Sequence, residues 1–203
     1  MQRLTFADIP AAAAILKRGG LVAFPTETVY GLGCRFDDCL AYDRLVSVKR
    51  RPADKPFTMM LADPSRIGEY ALVDARQQRL IARFMPGEVT FILKRRNTIP
   101  DRVALGGPTI GIRVPAHLDL LELLRAVDVP LLVPSCNRSG EPPAPDADAI
   151  ERIFHDEIDA VIDGPLGDSI PSTVVLLTGA EPKILRQGKV AAEAIMREWN
   201  REE

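Results

Sequence analysis

The chain has 203 residues, is 46% hydrophobic and 27% charged, and carries a net charge of −2. That balance suits one soluble domain spanning 1–203 and excludes the global basic field that drives nonspecific nucleic-acid binding, so any cationic site has to be local. No apolar run nears the roughly 20 residues of a membrane span and no charged-then-apolar leader follows Met1, so a cytoplasmic protein without membrane contact is expected.

Helix and strand signals alternate along the chain. Asp8 stands before a helical run at Ala11–Arg18, which Gly19-Gly20 ends ahead of a strand at Leu21–Phe24. Asp38 is placed to cap a helix in which Leu40, Leu45 and Val48 share a face up to Lys49, with Pro52 as the stop. Phe57–Leu61 reads as a strand, and Pro64 opens a short helix. Asp74–Met85 is helical, with Leu80, Ile81 and Phe84 on one face, and Pro86-Gly87 closes it.

Strands are expected at Val89–Leu93, Ile110–Val114 and Leu131–Val133, with an amphipathic helix at His117–Ala126 between the last two. The Pro-rich, acidic stretch GEPPAPDAD at 140–148 is a loop leading to a helix near Ala149–Phe154. Strand signals at Ala160–Ile162, Thr173–Leu177 and Lys183–Leu185 and a helix at Ala191–Trp199 complete the chain. Interleaved helices and strands imply an α/β sheet, and the late neighbouring strands make it mixed.

Three segments carry most of the chemistry: FPTETVYGLG at 24–33, KRRPADKP at 49–56 and PSCNRSG at 134–140. The first reads as a polar turn leaving a strand, its glycines permitting positive φ and backbone approach to a ligand. In the second, Lys49, Arg51 and Lys55 either complement a helix C-terminus or converge on an anion, and Pro52 and Pro56 limit the entropy such convergence would lose. In the third, Ser135 and Asn137 project from a strand end. Arg113 and Arg186 close strand signals, where each can fork onto phosphate or carboxylate or simply pair at the surface.

Several mechanisms are excluded. There is no GxxxxGK[ST] phosphate loop and no GxSxG elbow, and Phe36 stands where GxGxxG needs its third glycine. Cys34, Cys39 and Cys136 are odd in number and match no zinc spacing, so neither a disulfide framework nor a structural metal is expected. Nothing pairs His117 or His155 with a nucleophile.

FPTETVYGLG, the Lys-x-Arg of Lys49 and Arg51 with Lys55-Pro56 beyond it, Pro86-Gly87-x-x-Thr90, IGIRVP at 110–115, the Ser-x-Asn of Ser135 and Asn137, PSTVV at 171–175 and LRQGKV at 185–190 together resemble the YrdC/TsaC threonylcarbamoyl-AMP synthase family, in its order and spacing. The resemblance implies a twisted mixed sheet with flanking helices and a concave electropositive groove, a fold resembling that of DHBP synthase. It implies condensation of L-threonine, bicarbonate and ATP to threonylcarbamoyl-AMP with release of pyrophosphate, for threonylcarbamoyladenosine modification of tRNA by a downstream tRNA threonylcarbamoyltransferase.

By the same resemblance, Lys49 and Arg51 are catalytic, and Lys49, Arg51, Ser135, Asn137 and Arg186 surround the ATP phosphates. Thr26, Arg51, Arg113, His117 and Ser172 lie near threonine, and Lys55 and Tyr30 support the groove. Mg²⁺ is expected with ATP, held by phosphates and water. Phe84-Met85 where the family has Trp, Glu88 for a common Pro and Cys136 for a usual Ala depart from its pattern, and the chain resembles the family's short form. Two rivals are a non-catalytic RNA- or nucleotide-binding module and a carbamoyl-adenylating paralogue. A net charge of −2 and only 5% aromatics count against the binding module while leaving room for weak tRNA contact.

Overall fold

A computed structural model describes residues 1–52 and 54–201; Ala53, within the Lys49–Pro56 segment, lies outside them. Among the described residues the chain forms eleven strands and six α-helices. The strands are β1 (Gln2–Leu4), β2 (Val22–Phe24), β3 (Gly31–Arg35), β4 (Thr58–Met60), β5 (Ala71–Leu72), β6 (Val89–Arg95), β7 (Thr109–Arg113), β8 (Leu131–Leu132), β9 (Ala160–Ile162), β10 (Thr173–Leu176) and β11 (Lys183–Arg186). The helices are α1 (Ile9–Lys17), α2 (Cys39–Lys49), α3 (Ala75–Phe84), α4 (Leu118–Val127), α5 (Ala147–Phe154) and α6 (Ala192–Trp199), with short 3₁₀ turns at Phe6–Asp8, Pro64–Glu69 and His155–Glu157.

All strands join one mixed sheet in the order β1-β9-β2-β3-β8-β4-β7-β6-β10-β11, with β5 paired to β6. Helix α1 packs on α4 and on β2, β3 and β9, α2 lies on β3, α5 on β9, and α3 pairs with α6. The result is an α/β fold with a central mixed sheet and flanking helices. No helix among the described residues is long and apolar enough to cross a membrane.

The helix starts follow side-chain chemistry. Asp38 Oδ1 accepts from the amides of Leu40 and Ala41 at 2.9 and 3.0 Å, satisfying orphan donors at the head of α2. Asp74 and Gln77 exchange reciprocal bonds at 2.8 and 3.0 Å to open α3, and Asp146 accepts from Ala149 at 2.7 Å to open α5, at Ala147 rather than near Ala149. Asp8 does not cap α1 with its side chain: its carboxylate turns back onto the Thr5 amide and hydroxyl at 2.9 Å each.

Other expectations are corrected. Tyr30-Gly31-Leu32-Gly33 is no open loop: residues 31–35 form β3, and neither Gly31 nor Gly33 has positive φ. A Cβ at Gly33 would lie 2.7 Å from the Phe24 ring and one at Gly31 2.5 Å from Val133, so these glycines let β3 pass close to its neighbours. Helix α2 ends at Lys49 as expected, but the stop is Arg50 in the left-handed region (φ 49°, ψ 47°) rather than Pro52, a conformation costing a non-glycine residue about 1–2 kcal/mol. Leu40 is exposed rather than on the buried face with Leu45 and Val48.

One pairing sets the architecture of the site. β4 and β7 run parallel, Thr58 beside Gly111 and Met60 beside Arg113, whereas β8–β4 and β6–β7 are antiparallel. The antiparallel alternation of neighbouring strands is interrupted there. The ends of β2 and β8 and the starts of β3 and β4 lie at one end of the sheet. The end of β7, the starts of β6 and β10 and the end of β11 lie at the other.

Asp38→Ala removes both cap bonds from α2, and a stability loss of about 1 kcal/mol is expected. It would be read as a lower urea midpoint at unchanged slope.

Candidate functional site

A cleft of about 330 Å³ crosses the sheet at the parallel β4–β7 pair and draws residues from both ends. The β2–β3 connection supplies Thr26, Thr28 and Tyr30, the segment after α2 supplies Arg51, and the turn after β8 supplies Ser135 and Asn137. From the opposite end come Thr90, Arg113, Ser172 and Arg186. A second cavity of about 290 Å³ adjoins it, sharing Arg51, Thr58 and Thr90 and adding Lys55, Phe57 and Thr109.

The hydroxyl groups are arranged in pairs. Thr26 Oγ1 donates to the Val29 carbonyl at 2.8 Å, accepts from the Thr28 amide at 3.0 Å and lies 2.9 Å from Thr28 Oγ1. Across the cleft, Thr90 Oγ1 and Ser172 Oγ are 2.9 Å apart. The Tyr30 hydroxyl donates to the Gly164 carbonyl at 3.0 Å and accepts from the Gly164 amide at 3.3 Å, and burial pushes its pKa above the ordinary tyrosine value.

The cations are held at different depths. Arg51 donates to the carbonyls of Lys55 and Pro56 at 3.0 and 2.8 Å and lies over the Phe57 ring at 4.8 Å, with burial lowering its pKa. Arg186 folds its guanidinium onto Ser172, donating to its carbonyl at 2.9 and 3.2 Å and to its hydroxyl at 3.3 Å. Burial and then the like charge of Arg113 lower its pKa. Gly188 makes this contact possible: a Cβ there would meet the Pro171 carbonyl oxygen at 2.2 Å.

Arg113 is buried and tied down. It donates to the Gly87 carbonyl and Thr28 Oγ1 at 3.1 Å each and meets Glu27 Oε1 at 2.9 Å, in ion contact without hydrogen-bond geometry. The same carboxylate oxygen accepts from the Ala116 amide at 2.7 Å, so Glu27 joins the β2–β3 connection to the segment after β7.

Two expected ligand contacts take other places. His117 does not line the cleft: Nδ1 accepts from the Leu120 amide at 3.3 Å as the cap of α4, and the ring packs on Phe6 at 4.9 Å between centroids. Lys49 does not line it either. Its ammonium points beneath the cleft, onto the carbonyls of Ser135 and Asn137 and onto Asn137 Oδ1, because α2 directs its last side chain inward while the left-handed Arg50 turns Arg51 towards the opening.

Thr28, Thr58, Thr90, Glu27 and Glu141 belong to the site or its support but were not singled out from sequence. For Thr28 and Thr90 a signal was present, each being a hydroxyl inside a quoted motif. Arg138 is a further support: it donates to the carbonyls of Val48 and Ile153, forks onto Glu157 and lies over Phe154 at 4.7 Å. It thereby ties the turn to the end of α2 and to α5.

A mixed sheet crossed by an arginine- and hydroxyl-lined cleft defines a class of site for oxygen-rich anions. Residues 14–188 match the model of the Sua5/YciO/YrdC family, described as "Telomere recombination", and the chain belongs to this family. A protein of Pyrococcus abyssi named threonylcarbamoyl-AMP synthase is 35% identical over 96% of this chain, which spans 58% of that relative's length. The solved structure of P. abyssi Sua5 complexed with L-threonine superposes with a TM-score of 0.91 at 33% identity, covering 97% of this chain and 60% of that one. Escherichia coli YciO gives a TM-score of 0.87 at 30% identity, covering 96% and 97%.

Glu27→Ala leaves Arg113 buried without its carboxylate, and a loss of about 3 kcal/mol is expected in chemical denaturation. Combining it with Arg113→Met should recover most of that loss, because the stranded charge is gone as well.

Proposed function

We propose that the cleft makes L-threonylcarbamoyl-AMP from L-threonine, bicarbonate and ATP. The observation that carries this reading is the convergence of Arg51, Arg113 and Arg186 with Thr26, Ser135, Asn137 and Ser172 around one cavity. Kinship with a threonylcarbamoyl-AMP synthase and likeness to a Sua5 structure holding L-threonine support it.

The chemistry asks for such a wall. The threonine amine and bicarbonate give a carbamate and water, a carbamate oxygen attacks the α-phosphorus, and pyrophosphate leaves. Negative charge builds on phosphorus and on the leaving group, where fixed cations and oriented donors lower the barrier. In this reading Arg51, Ser135 and Arg186 attend the phosphates, Asn137 shapes the wall beside them with both amide protons held by the carbonyls of Arg138 and Glu141, and Thr26, Arg113 and Ser172 attend threonine and the carbamate. Tyr30 shapes the floor, and Lys55 lies in the adjoining cavity.

No protein nucleophile is required. Mg²⁺ would arrive with ATP: among the described residues Glu141 is the one carboxylate lining the cleft, and no three metal-ligating side chains cluster. Such a donor set suits an ion carried by phosphate oxygens and water. The product would pass in the cytoplasm to a tRNA threonylcarbamoyltransferase. The rival reading is a carbamoyl-adenylating paralogue that uses the same cleft.

Pyrophosphate release by the pure protein should require ATP, threonine and bicarbonate together, which omission of each in turn will check. Release that needs carbamoyl phosphate in place of threonine and bicarbonate would select the rival reading. Arg186→Ala should lower kcat/KM about 10- to 100-fold, the worth of a charged hydrogen bond, with little change in melting temperature.

A further inference from the structure

Lys49 is only 1% exposed although it carries a charge. Its three ammonium protons face three oxygens, the carbonyls of Ser135 and Asn137 and, at 2.9 Å, Asn137 Oδ1, so its donors are saturated within the protein. Its own carbonyl accepts from the Ser139 amide at 2.8 Å, closing the contact from the other side.

The rest of the turn is organised around that point. Asn137 Oδ1 also accepts from Ser135 Oγ at 2.6 Å, and Asn137 Nδ2 donates to the carbonyls of Arg138 and Glu141 at 2.7 Å each. Three oxygens carrying partial negative charge converge on one place, and without a cation there they would repel one another. The turn needs the ammonium to hold this shape.

We infer that Lys49 is a positioning residue: its ammonium fixes the Ser135–Glu141 turn in the orientation that presents Ser135 and Asn137 to the cleft, and its protons do not go to a ligand anion. This deepens the reading of the cleft as a nucleotide site, on which it rests for the purpose of the turn, but the decisive measurements can be made without activity. Burial, with Arg51 and Arg138 nearby, lowers the Lys49 pKa to about 8, while Glu141 acts in the opposite direction. The buried Cys136 thiol, raised to about 12, stays protonated. Lys49 is therefore charged at pH 6.5, where spectra can be recorded.

Nζ-detected NMR of the wild-type protein, with lysine and arginine labelled with ¹⁵N, tests this. In the ligand-free protein the Lys49 Nζ protons should exchange slowly, and on saturation with Mg-ATP they should hardly shift while the Arg51 and Arg186 Nε signals move. A Lys49 shift as large as that of Arg51 would overturn the inference. If no arginine signal moves, the nucleotide reading fails by itself, and the ligand-free spectrum still decides: slow Nζ exchange upholds positioning, and free-lysine exchange refutes it. In Lys49→Met, amide exchange at 135–141 should quicken about 10- to 100-fold with the rest of the sheet protected, and an unchanged turn would also count against the inference. Should that variant not fold, the wild-type spectra stand as the test.

Discussion

A charge removed from water has to be surrounded by oxygen, and in this fold the constraint falls on Lys49. Its ammonium lies between the end of α2 and the turn after β8 and takes up two backbone carbonyls and an amide oxygen of that turn. Arg138 repeats the arrangement one layer further in, drawing the carbonyls of Val48 and Ile153 together. A turn with no regular secondary structure thereby gains a fixed shape, and Ser135 and Asn137 face the cleft from a rigid support. The two residues that look most like ligand groups in a motif divide the work: Arg51 lines the opening, and Lys49 holds up its wall.

Hydroxyl pairs extend the same logic to the rest of the cavity. Thr26 with Thr28 and Thr90 with Ser172 satisfy one another, so none stands as an unpaired polar group in an apolar setting. Thr28 and Thr90 retain an oxygen lone pair for a ligand, whereas Thr26, which donates to Val29 and accepts from the Thr28 amide and hydroxyl, is saturated. Glu27 neutralises Arg113 at one end of the cleft, leaving Arg51 and Arg186 as its less compensated cations.

Much of this was legible in the sequence because it rests on local chemistry. Asp38, Asp74 and Asp146 cap where side-chain oxygens can reach the next amides, and Ala160–Ile162 is a run short and apolar enough to be only a buried strand. Thr26, Arg51, Arg113, Ser135, Asn137, Ser172 and Arg186 all reach one cavity as their motifs implied. What the sequence hid depends on partners distant along the chain. Gly31 and Gly33 read as a flexible loop until Phe24 and Val133 are seen against them. Lys49 reads as a free cation until the turn 86 residues later closes over it, and His117, which the resemblance sets near threonine, turns its ring to Leu120 and Phe6. The short strands β1 and β5 carry too few residues to show a period, and each exists because a neighbour offers an edge.

The parallel pairing of β4 with β7 also has a mechanical meaning. One wall of the cleft belongs to strands on the β4 side and the other to strands on the β7 side, and the two halves meet through Thr58–Gly111, Met59–Ile112 and Met60–Arg113. The twist between those two strands is therefore the natural coordinate for the distance between the walls. Thr28 grips Arg113 across that junction and acts as a brace against its unwinding. The aperture of the site thus has a torsional component, carried by one strand pair and its brace, beside the turns that bear the lining residues.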